Sequence, residues 1–468
     1  MIQHLVYILW FFALGACVGS FLNVVVWRLP RGESIVSPPS RCPYCEHRLA
    51  WYDNVPIFGW LALRGRCRYC HNPISAEYPT IEFITACIFA ITYIVFFIYH
   101  EGPCWMQRVI DPDFGPQYVY YHVQTIVQSW PLFVMALAML ACLLAGSLID
   151  ARHYFVPLSI PVLLTVVGLG YHTILDRPRQ PGSLTLENPI AAAMAIGAGI
   201  GLVLSNLLLW KGWMKRSFAE GWPALEIDKE PQEEPKPGWF EVLISKMVDA
   251  YRRPLTKEQQ KVMDDFRARA EAREKKLQEE FDKQAKETQP PLKEFTRADL
   301  RREMQREILF LLPPMLGGLV AASIAMLLQR SGNHAWENLL IHNNVLSGFA
   351  GSLMGALVGA SIIWIIMRLF GTLTFGREAL GMGDVHLMFG IGAILGSAGA
   401  VIVFFVAPFA GILFALRKLI FGSGRELPYV PSLAVAAGVV MLFYCRFIQA
   451  MAPSMTGLLQ MIHQLLGI

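Results

Sequence analysis

Long apolar runs, separated by shorter polar segments, occupy most of the chain. A run of about 18 apolar residues or more can cross a bilayer as a helix, so the pattern predicts an all-α polytopic membrane protein with about eight to ten transmembrane helices. The small residues at 396–399 leave open whether the two runs around them form one helix or two. The runs lie near residues 4–26, 81–99, 131–149, 156–175, 189–210, 308–328, 345–369, 385–397, 399–418 and 429–448.

The first run, Ile2 to Trp27, is interpreted as a retained transmembrane helix rather than a signal peptide. No basic segment precedes it, and no small-residue cleavage motif follows it. Arginines are frequent between residues 28 and 68. Because Lys and Arg concentrate in cytoplasmic loops, this segment is predicted to be cytoplasmic. Alternation of the spans then places 100–130 outside, 370–384 inside and the C-terminal tail outside.

The pattern divides the chain into five regions, of which one is strongly polar. Residues 211–307 hold more than half of all Asp, Glu, Lys and Arg residues, nearly balanced in sign. A solvated helix is predicted over Thr256–Gln289, where mixed charges recur at helical spacing. This charged insertion is interpreted as an exposed cytoplasmic segment or as a docking arm for an assembly-machinery partner. The regions are a first transmembrane helix (1–26), a cytoplasmic domain (27–80), transmembrane helices (81–210), the insertion (211–307) and further transmembrane helices (308–468).

Composition agrees with a membrane protein. Of 468 residues, 54% are hydrophobic and 16% are charged, against roughly 25% charged in ordinary soluble domains. The formal net charge is only +4, and no basic tract with interleaved aromatic residues occurs. Membrane lipids are therefore the expected surroundings, and nucleic acid is not an expected partner.

Four of the nine cysteines form two C-x-x-C pairs, Cys42 with Cys45 and Cys67 with Cys70. Two such pairs can supply four thiolates to one tetrahedral Zn²⁺ ion. The alternatives are two disulfides or four free thiols, but a cytoplasmic location argues against disulfides. Since sulfur would occupy all four positions, the predicted zinc is structural and stabilises a small domain.

Two aspartates lie at the predicted cytoplasmic ends of transmembrane runs. Asp150 ends the run at 131–149, and Asp384 follows Gly381 and Gly383 at the start of another. A carboxylate at membrane depth is costly and indicates function. Two adjacent carboxyl groups share one proton, so one activates water while the other polarises a peptide carbonyl. Alternatively, each aspartate caps a helix or pairs with an arginine, and the spacing alone does not show that they meet.

Together, these motifs resemble those of type IV prepilin leader peptidases, which are G-x-G-D aspartic proteases. The G-x-G-D motif alone is weakly specific, but its combination with the cysteine pairs and the N-terminal motif is highly specific. The matching segments are Gly19–Ser34, Ser40–Cys45, Arg64–Cys70, Ile74–Ser75, Tyr78–Pro79 with Glu82, Asp150 with Pro157, Gly381–Asp384 and Leu427–Ala434.

The resemblance implies a bifunctional enzyme of the bacterial inner membrane with its active site facing the cytoplasm. It would cleave the leader of type IV prepilins or type II secretion pseudopilins, with Asp150 and Asp384 as the catalytic pair. It would also methylate the new N-terminus with S-adenosylmethionine. By motif match, the candidates for a part in methylation are Asn23, Arg28 and Glu82. Gly381, Gly383 and His386, which surround the second aspartate, are the candidates for substrate binding.

The sequence departs from the family pattern at several positions. His386 replaces a usual lysine, and histidine titrates near neutral pH, so pH sensitivity of the dyad is expected unless His386 only faces the site. Glu77 replaces a basic residue before Tyr78, which puts methylation in question more than proteolysis. The rival interpretations are a proton-coupled transporter, a non-catalytic pilus-assembly factor and an enzyme that has only one of the two activities.

Overall fold

A computed structural model describes residues 2–111, 115–123, 125–178, 180–217, 246–252, 254–288, 297–375, 381–421 and 429–451. The chain divides into two compact units. The first unit comprises residues 1–91, 220–293 and 414–427, and the second comprises 92–219, 294–413 and 428–468. Parts of the charged insertion (residues 218–245, 253 and 289–296, the last including the predicted helix end at Gln289) and the C-terminal tail from residue 452 lie outside the described residues.

The described residues are mostly helical. In chain order, the elements are α1 (Ile2–Arg28), α2 (Phe58–Ala62), α3 (Glu77–Phe97), β1 (Trp105–Asp111), β2 (Gly115–Tyr121), α4 (Ile126–His153), α5 (Ser159–Ile174), α6 (Pro189–Trp210), α7 (Lys257–Thr288), α8 (Arg297–Arg330), α9 (Ala335–His342), α10 (Asn344–Ile363), a π-helical turn (Trp364–Phe370), α11 (Gly371–Phe375), α12 (Met382–Phe421), α13 (Val430–Leu442) and α14 (Tyr444–Met451).

The predicted all-α polytopic class is confirmed. Seven described helices are long and apolar enough to cross a membrane, or eight if α13 and α14, which meet at an angle of 83°, count as one broken span. The predicted range of eight to ten is reached, at its lower end, only when this broken span is counted. The run at 156–175 forms α5, whose 16 residues are fewer than the roughly 20 that span a bilayer.

The runs at 385–397 and 399–418 form α12, which is interrupted at Gly396. Gly396 has φ 73° and ψ 179°, a left-handed conformation that only glycine adopts readily. The antiparallel hairpin of β1 and β2, in which Trp105 pairs with Tyr121, is an addition that the apolar pattern did not predict.

Capping residues set several helix boundaries in the second unit. The Asn188 side chain accepts hydrogen bonds from the N–H groups of Ile190 and Ala191, both at 3.0 Å, and Pro189 begins α6. Asn343 caps α10 in the same way. Within this unit, α4 packs against α5 and α13, and α10 packs against α5 and α6.

Glycines allow α6 and α8 to pack at close range. A Cβ atom at Gly197 would lie 2.3 Å from the Gly317 carbonyl oxygen, and one at Gly201 would lie 2.2 Å from the Pro313 oxygen. Real Cβ atoms do not approach carbonyl oxygens so closely, so this interface requires residues without side chains. Small residues play this part in membrane proteins, where helices associate through van der Waals packing.

We expect Gly201→Ala to destabilise the second unit, because the added methyl group overpacks the interface between α6 and α8 at a cost of about 1–3 kcal/mol. Gly170→Ala is the matched control, since no atom lies within 4 Å of a Cβ built on Gly170. Thermal unfolding of the purified protein in detergent measures the effect. Equal unfolding midpoints for both variants would contradict this account of the interface.

Candidate active site and metal centre

Asp150 lies in the last turn of α4 and is 6% exposed. The helix ends just beyond it, where Tyr154 takes a left-handed conformation and donates its N–H to the Asp150 carbonyl. The carboxylate Oδ2 accepts a hydrogen bond of 3.2 Å from the backbone N–H of Val430. Val430 begins α13, so the carboxylate lies at a helix N-terminus, where free N–H groups and the helix dipole stabilise negative charge.

Asp384 lies in the first turn of α12 and donates its backbone N–H to the Gly381 carbonyl at 3.3 Å. A Cβ atom at Gly383 would lie 3.2 Å from the Cβ of Val156, in the segment that follows α4. The absence of a side chain at Gly383 therefore lets the start of α12 lie directly against that segment. The close approach places Asp384 at the same end of the second unit as Asp150.

The carboxyl groups of Asp150 and Asp384 are close enough to interact electrostatically. Tyr429 lies near both carboxyl groups. The next residue, Val430, donates its N–H to Asp150, and the Tyr429 side chain lies beside Asp384. The Tyr429 hydroxyl interacts electrostatically with the Asp384 carboxyl group. The structure thus brings together two aspartates that are more than 200 residues apart in the sequence.

A buried ion pair lies near Asp384 and was missed by the sequence analysis. Arg368, in the π-helical turn after α10, is 2% exposed and donates to both Glu307 carboxylate oxygens, at 2.6–3.1 Å. Trp364 Nε1 donates to the same carboxylate at 2.8 Å. The Arg368 charge also interacts with Asp384 and His386. In the sequence, Arg368 is a charged residue inside the apolar run at 345–369, and this feature could have indicated a buried ion pair.

The remaining predicted substrate residues flank Asp384. Gly381 is open toward the site, since a Cβ there would lie 3.8 Å from Asp384 Oδ2. The side chain of His386 is exposed and lies within electrostatic reach of the Arg368 guanidinium. The prediction that His386 makes the dyad sensitive to pH stays a prediction.

The four paired cysteines converge in the first unit. Their sulfur atoms all lie within 4.8 Å of one another, with Cys42 and Cys70 at 3.7 Å and Cys45 and Cys67 at 3.9 Å. A tetrahedral ion with metal–sulfur bonds of about 2.3 Å would hold its thiolates about 3.8 Å apart, so the cluster fits zinc. The Cys42 side chain, followed by backbone N–H groups of Cys70 and Tyr69, lowers the pKa of the Cys67 thiol to about 4.

Helix α7 of the charged insertion packs on this cysteine cluster. Phe266 contacts the buried cysteines, and Met263 is 7% exposed and accepts a hydrogen bond from Asn72 at its carbonyl. Arg273 donates to the Pro43 carbonyl, inside the first C-x-x-C pair, at 2.6 Å and pairs with Glu46. The prediction of a solvated helix is correct for its outer face, while the inner face covers the cluster.

The segment before α7 also contacts the cysteine domain. Tyr251 stacks on Trp60 with 5.9 Å between ring centroids and donates its hydroxyl to the Leu61 carbonyl at 2.7 Å. Arg252 donates to the Ile74 carbonyl at 2.9 Å. Within the first unit, the described part of the insertion therefore packs against the cysteine domain both through α7 and through the segment before it.

The three candidate residues for methylation belong to α1 and α3: Asn23 and Arg28 lie in α1, and Glu82 lies in α3. Asn23 is 9% exposed and donates to the Tyr78 carbonyl at 3.2 Å. Glu82 is 8% exposed and accepts from the Ile57 N–H at 2.6 Å. Arg28 lies apart from these contacts and donates to the Ser34 carbonyl at 3.1 Å. Asn23 therefore links α1 to the first turn of α3, and Glu82 holds the segment at Ile57 against α3.

Comparison with known proteins finds two matching domains. Residues 13–96 match the bacterial peptidase A24 N-terminal domain, and residues 311–416 match the type IV leader peptidase family. The first match contains the four cysteines, and the second contains Asp384; Asp150 lies between them. The resemblance to type IV prepilin leader peptidases is thereby confirmed.

Curated relatives carry the same description. The chain is 34% identical to a prepilin leader peptidase/N-methyltransferase of Myxococcus xanthus, over 43% of this chain and 48% of that one. It is 34% identical to a type 4 prepilin-like proteins leader peptide-processing enzyme of Escherichia coli O78:H11, over 42% of this chain and 64% of that one. The chain thus spans about half to two thirds of the length of these relatives. No solved structure matches it.

We expect Glu307→Gln to destabilise the protein by about 3–5 kcal/mol, because it removes the carboxylate partner of a buried guanidinium. The thermal unfolding midpoint in detergent measures this. Glu337→Gln is the control, since Glu337 pairs with His334 at the surface, where such a pair contributes about 0–1 kcal/mol. If both variants unfold at the same temperature as the unmodified protein, the ion pair between Glu307 and Arg368 does not stabilise the fold.

We expect the purified protein to contain about one zinc per chain and Cys42→Ser to lose it, with unfolding of the cysteine domain. Elemental analysis and limited proteolysis measure the two effects. Cys142→Ser, inside α4, is the control and keeps its zinc. Purified unmodified protein without zinc would disprove the assignment of a zinc site to this cluster.

Proposed function

We propose that the protein is an aspartic endopeptidase that removes the leader peptide of type IV prepilins or type II secretion pseudopilins. The observation that carries this proposal is that the Asp150 and Asp384 carboxyl groups are close enough to interact electrostatically at one end of the second unit. The descriptions of the relatives support the same activity.

The chemistry follows from two carboxyl groups that share one proton. The charged carboxylate takes a proton from a water molecule, which attacks the scissile carbonyl carbon. The protonated carboxyl group donates a hydrogen bond to the carbonyl oxygen and later protonates the leaving amine. The Val430 N–H keeps the Asp150 carboxylate in place, and the open backbone at Gly381 admits an extended peptide beside Asp384.

Substrate geometry favours a site at the cytoplasmic face of the bacterial inner membrane. A leader that is basic and cytoplasmic joins an apolar helix at the membrane edge, so the scissile bond lies at that depth. Asp150 ends one apolar helix and Asp384 begins another. These positions at the ends of apolar helices support a site at the depth where such a junction presents its peptide bond.

We infer that the first unit carries a second activity, N-methylation of the new terminus with S-adenosylmethionine. The family match over residues 13–96 and the names of the relatives support it. The four-cysteine cluster would hold structural zinc and has no free position for catalysis. Because Asn23 and Glu82 are used in contacts within the unit, their loss would disturb the unit as well as any methylation.

We expect Asp150→Asn and Asp384→Asn each to abolish leader cleavage without loss of folded protein, because each removes one partner of the shared proton. Mass spectrometry of the N-terminus of a co-expressed prepilin measures cleavage and methylation together. Asp176→Asn is unsuitable as a control because Asp176 is buried, so Asp265→Asn, on the surface of α7, serves instead. Normal processing by either dyad variant would refute the proposal and leave a non-catalytic assembly factor or a transporter.

A further inference from the structure

Two cysteines outside the zinc cluster meet in the second unit. Cys104 lies just before β1, and Cys445 lies in the first turn of α14. Their thiol groups are close enough to interact electrostatically. Cys104 is 7% exposed and Cys445 is fully buried. The two side chains are therefore neighbours, although most of the chain separates them in sequence.

Neighbouring residues hold the two segments side by side. The Cys445 N–H donates to the Gly102 carbonyl at 3.2 Å. The Arg446 guanidinium donates twice to Glu101 Oε1, at 2.6 and 2.8 Å. A backbone hydrogen bond and an ion pair thus fix the approach of the segments independently of the sulfur atoms.

This cysteine pair lies far from the aspartates. Cys104 and Tyr444 line a cavity together with Leu132 and Met135, which belong to the first turns of α4. Asp150 lies in the last turn of the same helix. At 1.5 Å per residue, roughly 25 Å of helix separates the two ends, close to the thickness of the hydrocarbon core.

We propose that Cys104 and Cys445 form a disulfide bond on the periplasmic side of the membrane. The placement rests on the proposed function, which puts the aspartates at the cytoplasmic face and hence the opposite end of α4 in the periplasm. The bacterial periplasm is oxidising, whereas the cytoplasm keeps thiols reduced. The same chain would then carry four metal-binding thiolates on one side and a disulfide on the other.

The bond forms by thiol–disulfide exchange with an oxidised, disulfide-donating periplasmic protein. The thiolate of one cysteine attacks a sulfur of the donor disulfide and forms a mixed disulfide. The thiolate of the second cysteine then displaces the donor. Two protons leave the cysteines, two electrons pass to the donor, and the donor departs as a dithiol.

The bond would fasten the segment that leads into the β-hairpin to the bend between α13 and α14. It would close a loop that contains most of the chain and so restrict the unfolded state. Because the pair lies at the end of α4 remote from Asp150, leader cleavage does not require it. Cys104→Ser is therefore expected to retain cleavage.

Counting thiols in the full-length protein tests the bond. Membranes are treated with a maleimide of known mass under denaturing conditions with a metal chelator, with and without prior reduction. Of the nine cysteines, seven are expected to react before reduction and nine after it. Nine reacting before reduction would overturn the proposal.

Single substitutions identify the two partners. Cys104→Ser and Cys445→Ser each leave eight of the nine cysteines, and all eight are expected to react without reduction because no bridge forms. The control Cys142→Ser also leaves eight, of which six react because the bridge is retained. A non-reduced digest should yield one peptide that joins residues 104 and 445, and a bridge between any other pair would overturn the assignment.

Prepilin cleavage measured in the same membranes separates this inference from the proposed function. Cleavage by the unmodified protein with nine reactive thiols would overturn the disulfide alone. Retention of the bridge in Asp150→Asn together with normal cleavage would overturn the protease alone.

Discussion

Charged groups at membrane depth are costly unless the protein supplies them with partners, and this constraint shapes the second unit. The Asp150 carboxylate is held by the N-terminal N–H of α13, and the Arg368 guanidinium is held by Glu307. Each partner comes from a different helix, so the charges connect helices that are remote in sequence. Loss of one partner would leave a buried charge uncompensated, which is why the arrangement of α4, α8, the π-helical turn and α13 is tightly determined around the candidate site.

Close packing of helices is the second condition for the site. Gly383 lets the start of α12 lie against Val156, and this contact brings Asp384 toward Asp150. The glycines of α6 and α8 serve the same purpose away from the site. In both places the absence of a side chain lets the helices pack closely enough for strong van der Waals contact. This contact replaces the hydrophobic driving force, which is weak between helices that are already surrounded by apolar material.

The charged insertion has a structural role in addition to any partner it binds. Sequence composition predicted its helix, but not that Phe266 and Arg273 would cover the cysteine cluster. A small domain around four cysteines has little core of its own. Covering it with one face of α7 adds apolar and polar contacts while the opposite, charged face stays in water.

Short segments of the sequence were enough to predict the helices, the metal site at the two cysteine pairs and both aspartates as candidate catalytic residues. The length of an apolar run, the spacing of ligands and a carboxylate at a membrane edge are all properties of short segments. The family resemblance rested on the same kind of evidence. Only the tertiary structure decided which distant residues meet: Asp150 with Asp384, Glu307 with Arg368, and Cys104 with Cys445. Apolar helices can pack in many ways, and the choice among them depends on interhelical contacts between glycines, ion pairs and helix ends, which no single segment contains.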